Sequence, residues 1–466
     1  MSSPAVFLEG SLMRHVVVMS VTSSLGLAAV FLVDFIDMVF ISMLGQAELA
    51  AAVGYAGAIL FFTTSISIVL AIVAGALGAL ALGAGDEDRA RVIATHSIVA
   101  GVLVSIVFAA VIWTYLTPLT ALIGAKGETL RLAVGYLSII IPSMPILMVA
   151  MAGGAILRAY GDAGRAMNAT LAGGAVNAIL DPILIFGFGL DLTGAALASV
   201  AARIAIMVVG LRPIIRHHGG FAPVRPRAFV ADIWQMSAIA FPAMATNVAT
   251  PVGTAYVTRE MAQFGEGAVA GMAIVGRLTP VTFAVVFALS GAVGPIIGQN
   301  FGAGRFDRVR RAFIDAVIFV ALYVVCASLA LFLLREPIAA LFEAEGDARA
   351  LIYLFCGPLA LAWFFNGVIF VGNAGFNNLG HPLQSTVINW GRHTLGTIPP
   401  VMIGAWALGP SGVLIGQAAG GVVFAALSWW MGMRLISRLE KGEADRRDRP
   451  HFSHRARLMQ LFDHRK

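Results

Sequence analysis

Long apolar runs separated by short polar turns set the pattern of this chain. A membrane-spanning helix needs roughly 20 apolar residues. Twelve runs qualify, at about 15–43, 53–83, 92–116, 131–157, 166–189, 193–215, 234–259, 268–299, 311–334, 350–377, 384–408 and 412–436. Each reads as a helix, because an open sheet cannot satisfy its backbone in lipid. The longer runs are expected to tilt or to extend past the bilayer. The pattern therefore predicts an all-α polytopic membrane protein with twelve transmembrane helices.

The pattern also repeats. Leu44-Gly45-Gln46-Ala47-Glu48-Leu49 resembles Phe264-Gly265-Glu266-Gly267-Ala268-Val269. Gly83-Ala84-Gly85 resembles Gly302-Ala303-Gly304, and Arg158-Ala159-Tyr160-Gly161 corresponds to Asn377-Asn378-Leu379-Gly380. Gly194-Ala195-Ala196-Leu197 corresponds to Gly412-Val413-Leu414-Ile415, so the offset stays near 218–220 residues. Two halves of six spans share one orientation, an arrangement typical of transporters with the substrate path between the halves. The expected architecture is two pseudo-symmetric six-helix lobes around a central cavity. The first lobe is expected at 1–211, an inter-lobe loop at 212–233, the second lobe at 234–437 and a charged tail at 438–466.

Composition agrees. Of 466 residues 59% are hydrophobic and 12% charged, where a soluble domain carries about 25% charged. The formal net charge of +6 comes mainly from arginines in alternate loops: Arg89 and Arg91, Arg158 and Arg165, Arg212 to Arg227, and Arg305 to Arg311. The positive-inside rule then predicts that both termini are cytoplasmic. Nothing resembles a basic folded face for nucleic acid. The two cysteines, Cys326 and Cys356, read as small buried hydrophobes. The first apolar run is too long and too acidic for a cleavable signal. Zinc-protease, phosphate-loop and nucleophile-elbow motifs do not occur, so neither an enzyme nor a self-contained ATP-driven pump is expected.

Three aspartates stand in runs otherwise fit for lipid: Asp34, Asp37 and Asp181. A carboxylate there costs several kcal/mol, roughly 2.5–3.5 on insertion scales, which marks it as functional. Asp34 and Asp37 are three apart and share a helix face, as do Asn177 and Asp181, four apart. Asp34 either joins the interior or points to the interface. Pro182 removes a donor from the carbonyl of Ala178, adding a free oxygen beside Asn177 and Asp181. Such a hard-oxygen cluster suits a proton, a sodium ion or an organic ammonium. Burial favours the neutral carboxyl, so an intramembrane aspartate can exchange protons. The second half has no matching acids: Val257 stands opposite Asp37, and Pro399 and Pro400 opposite Asp181. Its polar residues include Asn366 and Asn373, which with Gln299 are candidate cavity residues. Asp315, whose repeat counterpart is His96, is expected to pair with nearby arginines. The 29 Phe and 18 Met could line a cavity for flat cations, although helix packing explains most of them.

The chain resembles the multidrug and toxic compound extrusion (MATE) family over essentially all its spans. The resemblance rests on Ile36-Asp37-Met38-Val39-Phe40, on Asn177-Ala178-Ile179-Leu180-Asp181-Pro182, on Gly298-Gln299-Asn300 with Gly302-Ala303-Gly304, and on Phe376-Asn377-Asn378-Leu379-Gly380. The family implies a two-lobed antiporter that expels cationic or amphipathic drugs against inward H⁺ or Na⁺. It implies no cofactor beyond the coupling ion, and a monomer in the lipid bilayer. The coupling ion is expected at Asp37, Asn177 and Asp181, where Na⁺ is one option. Asp34, Tyr136 and Ser199 are the expected supporting network. Two departures stand out. Thr250 lies near a family glutamate position of the second lobe, and Thr22 or Ser23 replaces a proline common early in helix 1. Coupling is therefore expected in the first lobe, and the bending of helix 1 is in question. The alternative is a lipid-linked oligosaccharide flippase, for which Arg203, Arg277 and Arg392 are the few cationic candidates.

Overall fold

In the computed structural model the described residues, 5–44 and 47–442, are almost wholly helical. The side chains at 34, 35, 39, 42, 47 and 50 fall outside the description, as does most of the expected tail 438–466. The first seven spans are α1 (Leu12–Met43), α2 (Ala47–Gly83), α3 (Glu87–Thr114), α4 (Gly127–Ala159), α5 (Ala163–Gly187), α6 (Asp191–His217) and α7 (Pro226–Ala262). A short helix, Leu116–Leu122, precedes α4. Helix α8 joins Glu266–Thr282 to Ala284–Gly302, and α9 is Phe306–Leu341. Helix α10 comprises Gly346–Leu359 and Trp363–Asn378, bent by 61°. Gly357 and Pro358 cause the bend, one by leaving helical dihedrals and the other by lacking an N–H.

The last stretch decides the span count. Among the described residues ten helices are long and apolar enough to cross a membrane, or eleven with the bent pair. One of the ten, Pro382–Glu440, runs 59 residues. Straight, it would measure about 90 Å, some three times the hydrocarbon core. It is a hairpin instead. Gly409 takes φ 62° and ψ −142°, and Pro410 follows. A methyl on Gly412 would lie 1.8 Å from the carbonyl oxygen of Gly404. One on Gly416 would lie 2.3 Å from that of Pro400, and one on Gly420 1.5 Å from that of Gly396. The three pairs straddle position 408 symmetrically, so the chain reverses there. Helix α11 (382–408) and α12 (410–440) are two crossings, and the total is twelve, as the apolar pattern predicts.

The duplication is a real symmetry of packing. A methyl on Gly83 of α2 would lie 2.0 Å from the carbonyl oxygen of Gln299 on α8. One on Gly302 of α8 would lie 2.2 Å from that of Leu80 on α2. The repeat offset maps Leu80 onto Gln299 and Gly83 onto Gly302. The two contacts are therefore exchanged by one pseudo-two-fold axis between α2 and α8, as in an isologous interface.

That seam lies at the end of the bundle bearing both described termini and the basic loops. There Leu12, Val16 and Met19 of α1 share one apolar cluster with Leu289, Val293 and Ile296 of α8. Towards the opposite end two clusters each stay within one half. Ile41, Leu49, Ala133, Ile185 and Leu192 form one cluster, and Val257, Met261, Ala268, Leu351 and Val413 another. The halves thus meet at the basic end and separate towards the other.

A strap secures the seam. Phe7, in the short helical turn Val6–Leu8, is buried, and its N–H donates to Gln299 Oε1 at 2.9 Å. Gln299 Nε2 donates to the carbonyl of Ala159 at 2.8 Å. Arg308 Nη2 donates to the Phe7 carbonyl at 2.9 Å, and Arg305 to that of Leu8 at 2.7 Å. Buried carbonyls at this crossing are therefore satisfied by side chains of the other half.

Candidate functional site

Helices α1 and α5 bring the candidate acids together. Asn177 Nδ2 donates to Asp181 Oδ2 at 2.7 Å, one helical turn away. The same nitrogen lies 3.4 Å from Asp37 Oδ1. Asp37 is partly accessible, while Asn177 and Asp181 are buried. The two carboxyls also approach each other within hydrogen-bond reach. Ionised carboxylates only accept, so that contact is favourable only with a proton or a cation between them. Asp181 Oδ1 makes the same point. It is buried and finds no donor among the described residues. A buried acceptor left bare costs about 1–3 kcal/mol, more when charged. A shared proton or a bound cation would remove that cost.

The local sequence explains why α5 can present this group. Pro182 ends the regular helix, and Ile183–Gly187 continues as a wider π turn with Phe188 N–H on the Ile183 carbonyl at 2.9 Å. Such widened turns occur frequently at functional sites. Tyr136 of α4 lies beside Ser199 of α6 and close enough to Asp37, Asp181 and Arg203 to interact electrostatically. Arg203 Nη1 donates to Ser143 Oγ at 2.7 Å and to the Ile140 carbonyl at 3.2 Å, where α4 is broken. That arginine anchors a helix break. The side chain of Asp34 lies outside the described residues.

The second-half candidates separate from this group. Gln299 is fully buried, and both its amide atoms are engaged in the seam, which corrects its assignment to a cavity wall. Asn373 accepts from Asn389 Nδ2 at 3.0 Å and so joins α10 to α11. Asn366 accepts from Arg392. Asp315 pairs with Arg311 at 2.9 Å, as expected from the loop arginines. Cys326 is exposed on α9, whereas Cys356 is buried as expected.

One polar cluster escaped the reading of the sequence. His96 of α3 is buried and holds Asp232 of α7 at 2.6 Å through Nδ1. Arg89 grips both oxygens of Asp232, through Nη1 at 2.9 Å and through Nη2. The backbone N–H of Arg225 points at His96 Nε2, which assigns the proton to Nδ1. The cluster fastens the inter-lobe connection to α3. The one sequence signal was the repeat mapping of His96 onto Asp315, two buried polar positions that each need a partner.

Comparison with known proteins now decides the family. The MatE profile matches residues 23–183 and 242–401, one stretch in each half and displaced by the repeat offset. The chain belongs to the MatE family. It is a multi-pass membrane transporter, and the twelve crossings are the family's fold. A relative from Shewanella oneidensis, described as an FAD transporter, is 28% identical over 438 residues, which cover 92% of this chain and 96% of the relative. The multidrug export protein MepA of Staphylococcus aureus is 24% identical over 360 residues, 76% of this chain and 78% of that one. A solved outward-facing multidrug resistance MATE transporter superposes with a TM-score of 0.88 at 21% identity, covering 95% of this chain and 99% of that one. A MATE crystal structure in complex with MaL6 gives 0.87 at 22% identity, covering 95% and 100%. At such identities the likeness speaks for the fold.

Proposed function

We propose that this MatE transporter couples inward movement of H⁺ or Na⁺ to export of amphipathic organic molecules, through Asp37, Asn177 and Asp181. The observation that carries the proposal is the buried Asp181, whose Oδ2 shares the Asn177 amide with Asp37 and whose Oδ1 has no donor among the described residues. A proton or one small cation would satisfy such an oxygen. In the ion-free state the two carboxylates repel each other and attract a cationic substrate. Binding of the ion neutralises them and releases it. The basic end, with its arginines and described termini, is the cytoplasmic one in this reading, so the halves separate towards the outside. That is the state in which substrate leaves and the ion enters. A bacterial inner membrane provides both gradients.

Purified protein in vesicles, loaded with a fluorescent cationic dye, tests the proposal. Either a pH gradient or a sodium gradient alone should drive efflux, and Asp37→Asn and Asp181→Asn should each reduce it at least about 100-fold. Unchanged efflux in both variants would refute the proposal. A second reading is export of a flavin nucleotide, favoured by the near full-length similarity to the Shewanella oneidensis FAD transporter.

A further inference from the structure

The first lobe brings Asp37 and Asp181 together, and the second lobe carries a partly accessible positive charge, Arg392, with no acid paired to it among the described residues. Arg392 stands near the end of the helix Pro382–His393, turned towards α10. It takes part in none of the ion pairs among the described residues. Its one described acceptor is the side-chain oxygen of Asn366. A guanidinium has five N–H donors and is always charged, so one neutral acceptor leaves most of its capacity unused. The amide nitrogen of Asn366 stands beside it, also without an acceptor among the described residues. Both side chains are partly accessible.

The neighbouring surface is aromatic. Trp363, Asn366 and Phe370 follow one another at helical spacing on one face of α10. Trp363 stacks on Phe283 of α8 with ring centres 4.8 Å apart. Phe287 leans on Trp363 at 5.5 Å and on Phe370 at 5.7 Å. Phe287, Trp363 and Phe370 keep part of their surface accessible. Asn366, met by Arg392 from α11, thus shares a helix face with an aromatic wall for a flat ring.

We infer that Arg392 and Asn366 form a specificity site for an anionic group, a carboxylate or phosphate, on an aromatic substrate. Guanidinium and amide together match the geometry of such a group. The inference rests on the transporter reading and narrows its substrate class: the cargo carries a negative charge as well as an aromatic ring. The first-lobe acids and the second-lobe arginine would then hold opposite ends of a polar, ring-bearing molecule.

Equilibrium binding of flavin mononucleotide and riboflavin to the detergent-solubilised protein tests this. The two probes share a ring and differ in one phosphate. The wild type should bind the phosphorylated probe about tenfold tighter. Arg392→Gln should lower its affinity to that of riboflavin and leave riboflavin unchanged. Asn366→Asp, which gives Arg392 an internal partner, should do the same and should not lower the melting temperature. Equal binding of the two probes by the wild type, or an unchanged ratio in Arg392→Gln, would overturn the inference, as would parallel loss of both probes in both variants. Failure of the transporter reading looks different: selective binding would persist with no flux in vesicles.

Discussion

Asp181 is where the account is most exposed at the scale of single residues. Its sequence context announced it: an aspartate in an apolar run, followed by a proline and preceded one turn earlier by an asparagine. Spacing put Asn177 and Asp181 on one face, and the structure adds that Asn177 reaches Asp37 as well. That third member could not be read from spacing, because Asp37 belongs to another helix and is joined only by tertiary packing. Asn177→Leu should therefore cripple coupled efflux nearly as much as loss of an acid, since it removes the amide that holds the carboxyls together. Wild-type efflux rates in that variant would argue against the three acting as a unit. Asp232 tests the other buried polar cluster. Removing it leaves the buried His96 Nδ1–H without its acceptor and takes the bidentate carboxylate from Arg89, so Asp232→Ala should cost about 3 kcal/mol of stability. The expected readout is a lowered melting temperature in detergent, and an unchanged one would contradict the burial argument.

At the scale of helices, most of the architecture was legible, because twenty apolar residues in lipid leave few alternatives to a helix. What the pattern concealed was how helices break and turn. The break in α4 follows from Pro142 and Pro145, and that in α10 from Gly357 and Pro358. The reversal at Gly409 depends on glycines that let α11 and α12 touch backbone to backbone. These contacts explain why the last hairpin has glycine at 404, 412, 416 and 420. Gly412→Val should clash with a carbonyl that cannot step aside and destabilise the fold by at least about 3 kcal/mol. The measurement is the yield and melting temperature of membrane-inserted protein, and a wild-type value would deny the close approach.

For the whole molecule, the governing feature is the pseudo-two-fold axis through the Gly83–Gln299 and Gly302–Leu80 contacts. The repeat in the sequence predicted the symmetry, and the structure locates its axis. The proposed coupled export, if it works by alternating access, requires those contacts to part while the opposite ends of the lobes close. The strap at Val6–Leu8 opposes that separation, because Gln299, Arg305 and Arg308 all reach across to the first half. Arg308→Ala should therefore shift the population towards opening at the basic end. Distances between spin labels across the seam, in a background with Cys326 and Cys356 replaced, report this. A longer-distance population is expected to grow in the variant, and an unchanged distribution would remove the strap from the mechanism.

The central claim is that one small cation and the substrate compete for the same first-lobe group. The direct measurement is ion release on substrate binding, with protein in weakly buffered detergent solution, followed by a pH electrode or by displacement of radioactive sodium. The account predicts that adding a cationic dye to wild type releases protons or sodium, that the dye binds more tightly as pH rises or sodium falls, and that Asp37→Asn with Asp181→Asn abolishes the release. Dye binding with no release of either ion from the wild type would contradict it.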